Sequence, residues 1–181
     1  MDIPALPRQR GFTLLELMSS MSIAVVLTTT AIPALNGLLQ RSRITTEINT
    51  FVAHLHYARS EAIKRGQRVV ICRSADGLSC ARTEGWHRGW ITFADSNANR
   101  ERDDGEALLR VEHGEENGII ITSGQRRRVI YWPTGFTPGT NGTYTFCDPD
   151  YPQWAKAVIL SNPGRPRLSD TKPDGSALDC G

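Results

Sequence analysis

The chain has 181 residues and a formal net charge of +2, and it is 39% hydrophobic, 22% charged and 7% aromatic. That length suits one domain of ordinary size, the apolar content excludes wholesale disorder, and four cysteines are too few for a disulfide-dominated mini-scaffold. A net charge near zero also excludes bulk attraction to a polyanion, so any such site must come from local clustering of the 21 Lys and Arg residues.

Residues 1–11 are polar, with Arg8 and Arg10 and two prolines that discourage helix. From Phe12 to Leu39 the chain is largely apolar and Glu16 is the only charge, a stretch long enough to span a bilayer core, which takes roughly 20 apolar residues. A secretory signal peptide would carry its small cleavage residue after the apolar stretch, whereas Gly11 stands before it. Arg8 and Arg10 are expected to stay cytoplasmic, which places everything after Leu39 across the membrane. A carboxylate at Glu16 costs about 2.5–3.5 kcal/mol on insertion scales, and therefore either snorkels to the membrane surface from the first turns of the helix or calls for a cationic partner from another chain. Pro33 and Gly37 weaken the helix, through a lost backbone hydrogen bond and a cost of about 1 kcal/mol relative to Ala.

Basic leader, then Gly11-Phe12-Thr13-Leu14-Leu15-Glu16, then an apolar helix resembles the class III signal of type IV pilins and type II secretion pseudopilins. The resemblance implies cleavage by a prepilin peptidase after Gly11 and N-methylation of Phe12. It also implies pairing of Glu16 with the N-terminal amine of a neighbouring subunit. Pro33 stands where that family tends to carry a proline.

From Gln40 to Arg65 the residues Ile44, Ile48, Val52, Leu55, Ala58 and Ala62 recur at helical spacing, while Arg41, Arg43, Glu47, Arg59 and Lys64 avoid that stripe, and Gly66 supplies a stop. Short Val-, Ile- and aromatic-rich runs follow at 67–74, 86–94, 107–112, 118–122, 127–132, 143–147 and 156–161, broken by Gly, Pro, Asn and Asp. A helix followed only by strands predicts an α+β fold with antiparallel sheet packed on the helix. Together with the resemblance, this implies a type IV pilin-like fold. Its organisation is a leader (1–11), a transmembrane and assembly helix (12–39), an amphipathic helix (40–66) and a β-rich domain (67–181). The run Ala58–Gly66 and the stretch Trp86…Gly89-Trp90…Phe93-x-Asp95 are similar to the branch containing minor pseudopilin H and the minor pilins FimT and FimU.

Cys72, Cys80, Cys147 and Cys180 show no zinc spacing, and an oxidising compartment favours two disulfides. Three connectivities are available; the pairing expected is Cys72–Cys80 across a local hairpin and Cys147–Cys180 tying down the C-terminus. Asp95, Asn97, Asn99 and Glu106 occupy the first, third, fifth and twelfth positions of a calcium-loop pattern. Arg100 stands where that pattern requires glycine, and the flanks read as strands, so a solvated hairpin turn is expected rather than a metal site. His54 and His56 point to different helix faces, while His87 and His113 are isolated. Neither a G-x-S-x-G nor a P-loop motif is present, and the chain is expected to be neither an enzyme nor a cofactor binder.

The remaining chemistry is basic. Around Gly164-Arg165-Pro166-Arg167 the prolines Pro163 and Pro166 restrict the backbone, and an extended form puts both guanidinium groups on one side, about 7 Å apart, near the spacing of successive phosphates. Arg126, Arg127, Arg128, Lys156 and Lys172 extend the patch if the fold gathers them. The alternative is a surface loop whose arginines pair with Asp170, Asp174 or Asp179. The Gly-Arg-x-Arg pattern resembles the C-terminal motif of the FimT branch, which implies phosphate contacts from Arg165 and Arg167 to extracellular DNA during uptake for natural transformation. The alternatives are a structural minor pilin that primes pilus assembly and a type II secretion pseudopilin without DNA binding. The expected partners are other pilins, prepilin peptidase, DNA and the inner membrane, in which the chain is a single-pass protein with a periplasmic C-terminal domain before it joins the pilus.

Overall fold

A computed structural model describes residues 11, 13–114 and 118–180, except for the side chains of 30–34. Residues 1–10 with Arg8 and Arg10, Phe12, at which methylation is expected, and the Pro33 side chain lie outside the described residues.

The chain divides into 1–39 and 40–181, and helix α1 is assigned from Leu14 to Arg65. In the first unit the Thr13 hydroxyl accepts the Glu16 N–H at 3.3 Å, as a helix-capping residue does, and the Ser19 and Ser20 hydroxyls donate to the Glu16 carbonyl. Leu14, Leu15, Met18, Val25, Val26 and Leu27 are exposed, as is Glu16. The expectation of a membrane span over 12–39 is not reproduced as such: among the described residues no helix is long and apolar enough to cross a membrane. Ser19, Ser20, Ser22, Thr28 and Thr29 dilute the apolar sequence there, and their hydroxyls satisfy themselves on backbone carbonyls one turn back.

The second unit packs the rest of α1 against two antiparallel sheets. Strands β1 (Arg68–Arg73), β2 (Gly89–Asp95), β3 (Leu108–His113), β4 (Ile120–Thr122), β5 (Arg128–Tyr131), β6 (Gly142–Cys147), β7 (Lys156–Leu160) and β8 (Pro166–Ser169) follow in chain order. The first sheet has the order β3-β2-β1-β5 and the second β4-β6-β7-β8. Seven of these strands fall in the runs anticipated from sequence; the start of the second run is a short 3-10 turn, Trp86–Arg88, ahead of β2. β8 was not anticipated, because a four-residue strand opening on Pro166 has no alternating pattern to read. As an edge strand paired only with β7 it tolerates a proline.

The helix stripe is buried as expected at Ile44, Ile48, Leu55, Ala58 and Ala62, while Val52 lies at its margin and Phe51 occupies the centre. The Phe51 ring meets Trp86, Trp90, Tyr144 and Phe146 with centroids 4.9–5.6 Å apart, joining helix and both sheets. β1 is buried on both faces: Val69 and Ile71 face this core, and Val70 and Cys72 join a second cluster with Ile91, Phe93 and Ile130 on the far side of the first sheet. The Cys72–Cys80 disulfide pins the following loop over that second cluster, and Cys147–Cys180 ties the tail back to the end of β6. The Cα atoms of the two pairs lie 5.5 and 5.6 Å apart, within the ordinary range for bridged cysteines.

Candidate functional site

The turn between β7 and β8 is Ser161–Arg165, and its conformation follows from Gly164. That residue is buried at φ +75°, where an L side chain is strained, and its N–H closes the turn on the Ser161 carbonyl at 2.8 Å. The turn is docked from below. Thr137 donates its N–H to the Asn162 carbonyl at 2.8 Å and its hydroxyl to the Ser161 carbonyl at 3.0 Å, and the buried Tyr131 hydroxyl donates to the Gly164 carbonyl at 3.3 Å. Burial pushes the Tyr131 phenol well above its usual pKa, so it remains a donor.

Arg165 ends this turn and Arg167 stands on β8 beside it, both exposed, and neither guanidinium has an ion-pair partner among the described residues. Two of the carboxylates expected to neutralise them are engaged elsewhere: Asp170 binds the Lys156 ammonium and Asp174 accepts from Ser176. Arg167 is in register with Ile159 of β7, and Ile159 with Thr143 of β6. Tyr144 and Phe146 of β6 face the core, so Thr143, Ile159 and Arg167 share the outer face. On that face Thr143 and Thr145 line a cavity together with Arg126, Lys172, Asp174 and Asp179. Two strand spacings, about 10 Å, therefore separate the strand position of Arg167 from that of Thr143 on the cavity wall.

The turn bearing Arg126 is set by Trp86, whose indole N–H reaches the Arg126 carbonyl and the Ser123 hydroxyl, each at 2.9 Å. The Arg126 guanidinium is exposed and donates to the Gly139 carbonyl at 2.7 Å. The other expected basic residues do not join. Arg128 belongs to the first sheet and is consumed by Glu101, at 2.7 Å, and by the Arg100 carbonyl. Arg127 immediately precedes β5, and its carbonyl accepts the Arg73 N–H of β1 at 3.3 Å. Lys156 is half-buried and paired with Asp170. Strand order thus takes Arg127 and Arg128 to the first sheet, whereas Lys156 stands on β7 itself and is set apart by its pairing.

In the loop from Asp95 to Glu106 residues 96–100 and 103–105 are exposed, as a solvated turn requires, whereas its two ends are buried. Asp95 is 2% and Glu106 7% exposed. Arg100, the residue that broke the calcium-loop pattern, adopts φ +71°, the left-handed conformation for which that pattern reserves glycine, and Ala98 adopts φ +63°. Burial, and next the Glu106 carboxylate, raise the Asp95 pKa above the usual carboxylate value.

Among the histidines, His54 is fully buried and its Nε2 stands 3.1 Å from Glu112 of β3, a helix-to-sheet contact that sequence reasoning missed. Two polar residues 58 positions apart leave no local signal, although His54 lies one turn after the Phe51 position on the buried face.

The profile of the family described as Type II transport protein GspH matches residues 47–164, and that of the prokaryotic N-terminal methylation motif matches residues 6–32. The chain is 31% identical over 109 residues to the pilin-like protein PilA1 of Thermus thermophilus, covering 60% of this chain and 63% of that protein. The matched region thus spans somewhat less than two thirds of that relative's length. The fold is similar to that of the Pseudomonas aeruginosa type IV minor pilin FimU in two crystal forms. The first gives a TM-score of 0.56 at 20% identity, covering 78% of this chain and 96% of that one. The second gives 0.53 at 21%, covering 77% and 98%. With a methylation motif at its start, a helix followed by two antiparallel sheets, and a profile match over most of its second unit, the chain belongs to the GspH family of minor type IV pilins and pseudopilins.

Proposed function

We propose that this filament subunit binds extracellular DNA through phosphate contacts from Arg165 and Arg167, aided by Arg126 and Lys172, during DNA uptake for natural transformation. The observation that carries the reading is that both arginines are exposed and without an ion-pair partner among the described residues, Arg165 at the end of the turn locked by Gly164 and Arg167 on β8 beside it. A backbone fixed in this way presents both guanidinium groups to a phosphate, whose oxygens their planar fork suits. A site of this kind reads charge rather than sequence, because backbone contacts carry no base information.

The N-terminal unit supplies the anchoring part of the reading. Prepilin peptidase cleaves between Gly11 and Phe12, Phe12 is methylated, and the apolar side chains of 14–29 enter the inner membrane before packing against other pilins. Glu16 is exposed, available to the N-terminal amine of a neighbouring subunit. The second unit is periplasmic until assembly carries it to the cell surface.

The test is a titration of the chain with double-stranded DNA of mixed sequence at two salt concentrations, read by mobility shift and NMR. The expected result is weak binding that falls with salt at a log–log slope of about −0.9 per phosphate contact and is lost in the Arg165→Ala, Arg167→Ala double variant. Unchanged binding in that variant discards the site. Absence of binding in the unaltered chain leaves the family's filament role alone, with pilus priming or type II secretion as its setting.

A further inference from the structure

We propose that the loop joining β2 to β3, Asp95–Glu106, is a calcium site in which Asp95 and Glu106 supply two fixed carboxylates and Asn97, Asn99 and Asp103 supply further oxygens. The observation that points to a ligand is an orphan atom. One oxygen of Asp95 accepts the Arg100 N–H at 3.3 Å, which turns the carboxylate toward the loop interior, while its other oxygen, Oδ1, is buried with no hydrogen-bond partner. Buried carboxylate oxygens are rarely left without a donor, and where one is, an ion or a water is the ordinary explanation.

The charges around this atom sharpen the point. Glu106 is buried at the other end of the same loop, with Oε1 accepting the Ser96 N–H at 2.7 Å and the Ser96 hydroxyl at 3.2 Å and Oε2 the Asp103 N–H at 3.2 Å, so Oε2 keeps a lone pair. The nearby cations are engaged with other groups. The Arg68 guanidinium lies 4.3 Å from the centroid of the Trp132 ring and donates to the Ala98 carbonyl, while Arg128 is taken by Glu101. Among the described residues neither Asp95 nor Glu106 forms an ion pair. Two carboxylates thus stand buried at the two ends of one loop, with no ion pair to offset them among the described residues.

The donor set selects the ion. It consists of oxygens alone, at the first, third, fifth, ninth and twelfth positions of the loop, which suits a hard cation with flexible, many-oxygen coordination. Magnesium demands a tight octahedron and retains its waters, so calcium is the better match. Asn97 and Asn99 already accept loop N–H groups through Oδ1, and their Nδ2 atoms both stand 2.7 Å from Asp103 Oδ2. A bound ion would draw the Asp103 carboxylate inward in place of those amide donors. Among the described residues no three His, Cys, Asp or Glu side chains are already gathered at metal-binding spacing, so the ion would be held by two carboxylates and neutral oxygens at first. A low ligand charge places the affinity at roughly 10⁻⁴–10⁻³ M, the range of extracellular modules. Binding would fasten the ends of β2 and β3 together, and the Glu101–Arg128 pair would extend that restraint to β5.

The experiment titrates calcium chloride into the full chain in detergent micelles after chelator treatment, followed by calorimetry, backbone NMR and thermal unfolding. One saturable site is expected, with amide shifts confined to residues 95–106 and their neighbours and a rise in the unfolding midpoint. Asp95→Asn should abolish both while matching or exceeding the midpoint of the calcium-free parent, since it removes one of two buried charges. Should that variant fail to fold, Asp103→Asn at the exposed loop tip should weaken binding several-fold with the fold intact. The proposal is overturned by no saturable uptake up to about 10 mM, roughly tenfold beyond the weak end of the extracellular range. It is equally overturned by binding that survives both variants, or by an equal response to magnesium.

Discussion

Gly164 lies directly against Gly135: a Cβ added to Gly164 would stand 2.2 Å from the Gly135 carbonyl oxygen and 2.9 Å from the Tyr131 ring. Gly135 is in turn packed beneath Ile63 and Arg59 of α1, with φ +76°. A line of close contacts therefore runs from the helix through two left-handed glycines to the turn that carries Arg165. The glycine of the Gly-Arg-Pro-Arg sequence is a packing residue, and the arginines are presented by it.

Gly164→Ala is accordingly expected to destabilise the chain by about 2 kcal/mol or more, since the added methyl meets backbone rather than a movable side chain and the φ is strained as well. Arg165→Ala at the end of the same turn and Arg167→Ala on β8, both at exposed positions, should each stay within about 0.5 kcal/mol of the parent. Urea denaturation of the three variants decides the matter. Equal midpoints for all of them would mean that the turn is not held by the Gly164–Gly135 contact.

The basic residues should separate into two groups by their effect on DNA affinity. Arg126→Ala and Lys172→Ala remove charge from the outer face that Arg167 shares, and each should reduce the magnitude of the salt slope by about 0.9. Lys156→Ala and Arg128→Ala remove charges already matched by Asp170 and Glu101, and they should leave the slope unchanged. A gel-shift series over salt concentration measures this directly.

The contrast between those two groups marks where sequence reading succeeds. Periodicity located the helix stripe and seven strand runs because burial of one face imposes a period on the residues themselves. It placed Val52 in the stripe and missed Phe51, since the stripe is wider than one residue per turn and two spacings fit the same face. Which basic residues meet depends on strand order, a long-range property: Arg126 and Arg128 are two residues apart in sequence, yet one turns toward the second sheet and the other enters the first. The loop at Asp95–Glu106 fails differently. Arg100 argued against a calcium-type turn because its residue type is wrong, but the flanking Asx contacts and Asp95 hold its backbone at φ +71°.

Removing the Cys147–Cys180 bridge should cost roughly 3–4 kcal/mol on the chain-entropy estimate, because it closes a separation of 33 residues. The segment released includes β8 and the Thr171–Ala177 bridge, and with them the positions of Arg167 and Lys172. A Cys147→Ser, Cys180→Ser variant is therefore expected to lose both stability and DNA affinity. Replacing Cys72 and Cys80, whose separation is 8 residues, should cost less stability and leave affinity intact. Comparing the two variants by thermal unfolding and DNA titration separates the tail's role from a general loss of fold.

Acid should destabilise the chain through His54. Its pKa lies below the ordinary histidine value chiefly because burial disfavours the charged ring and next because Arg110 repels it, while the hydrogen bond and charge of Glu112 oppose both effects without overcoming them. The unfolded chain then takes up a proton near pH 6.5 that the folded chain refuses until lower pH, so folding stability is full above that value and falls as pH drops through it toward the folded-state pKa. His87, lowered by burial and by Arg88, acts in the same sense. The slope attributable to one such group approaches about 1.4 kcal/mol per pH unit within that window. Urea midpoints measured from pH 7.5 down to pH 5 should show the decline, and His54→Gln, which keeps a donor for Glu112 but cannot titrate, should remove part of it. An identical decline in that variant would assign the acid sensitivity to His87 and the carboxylates instead.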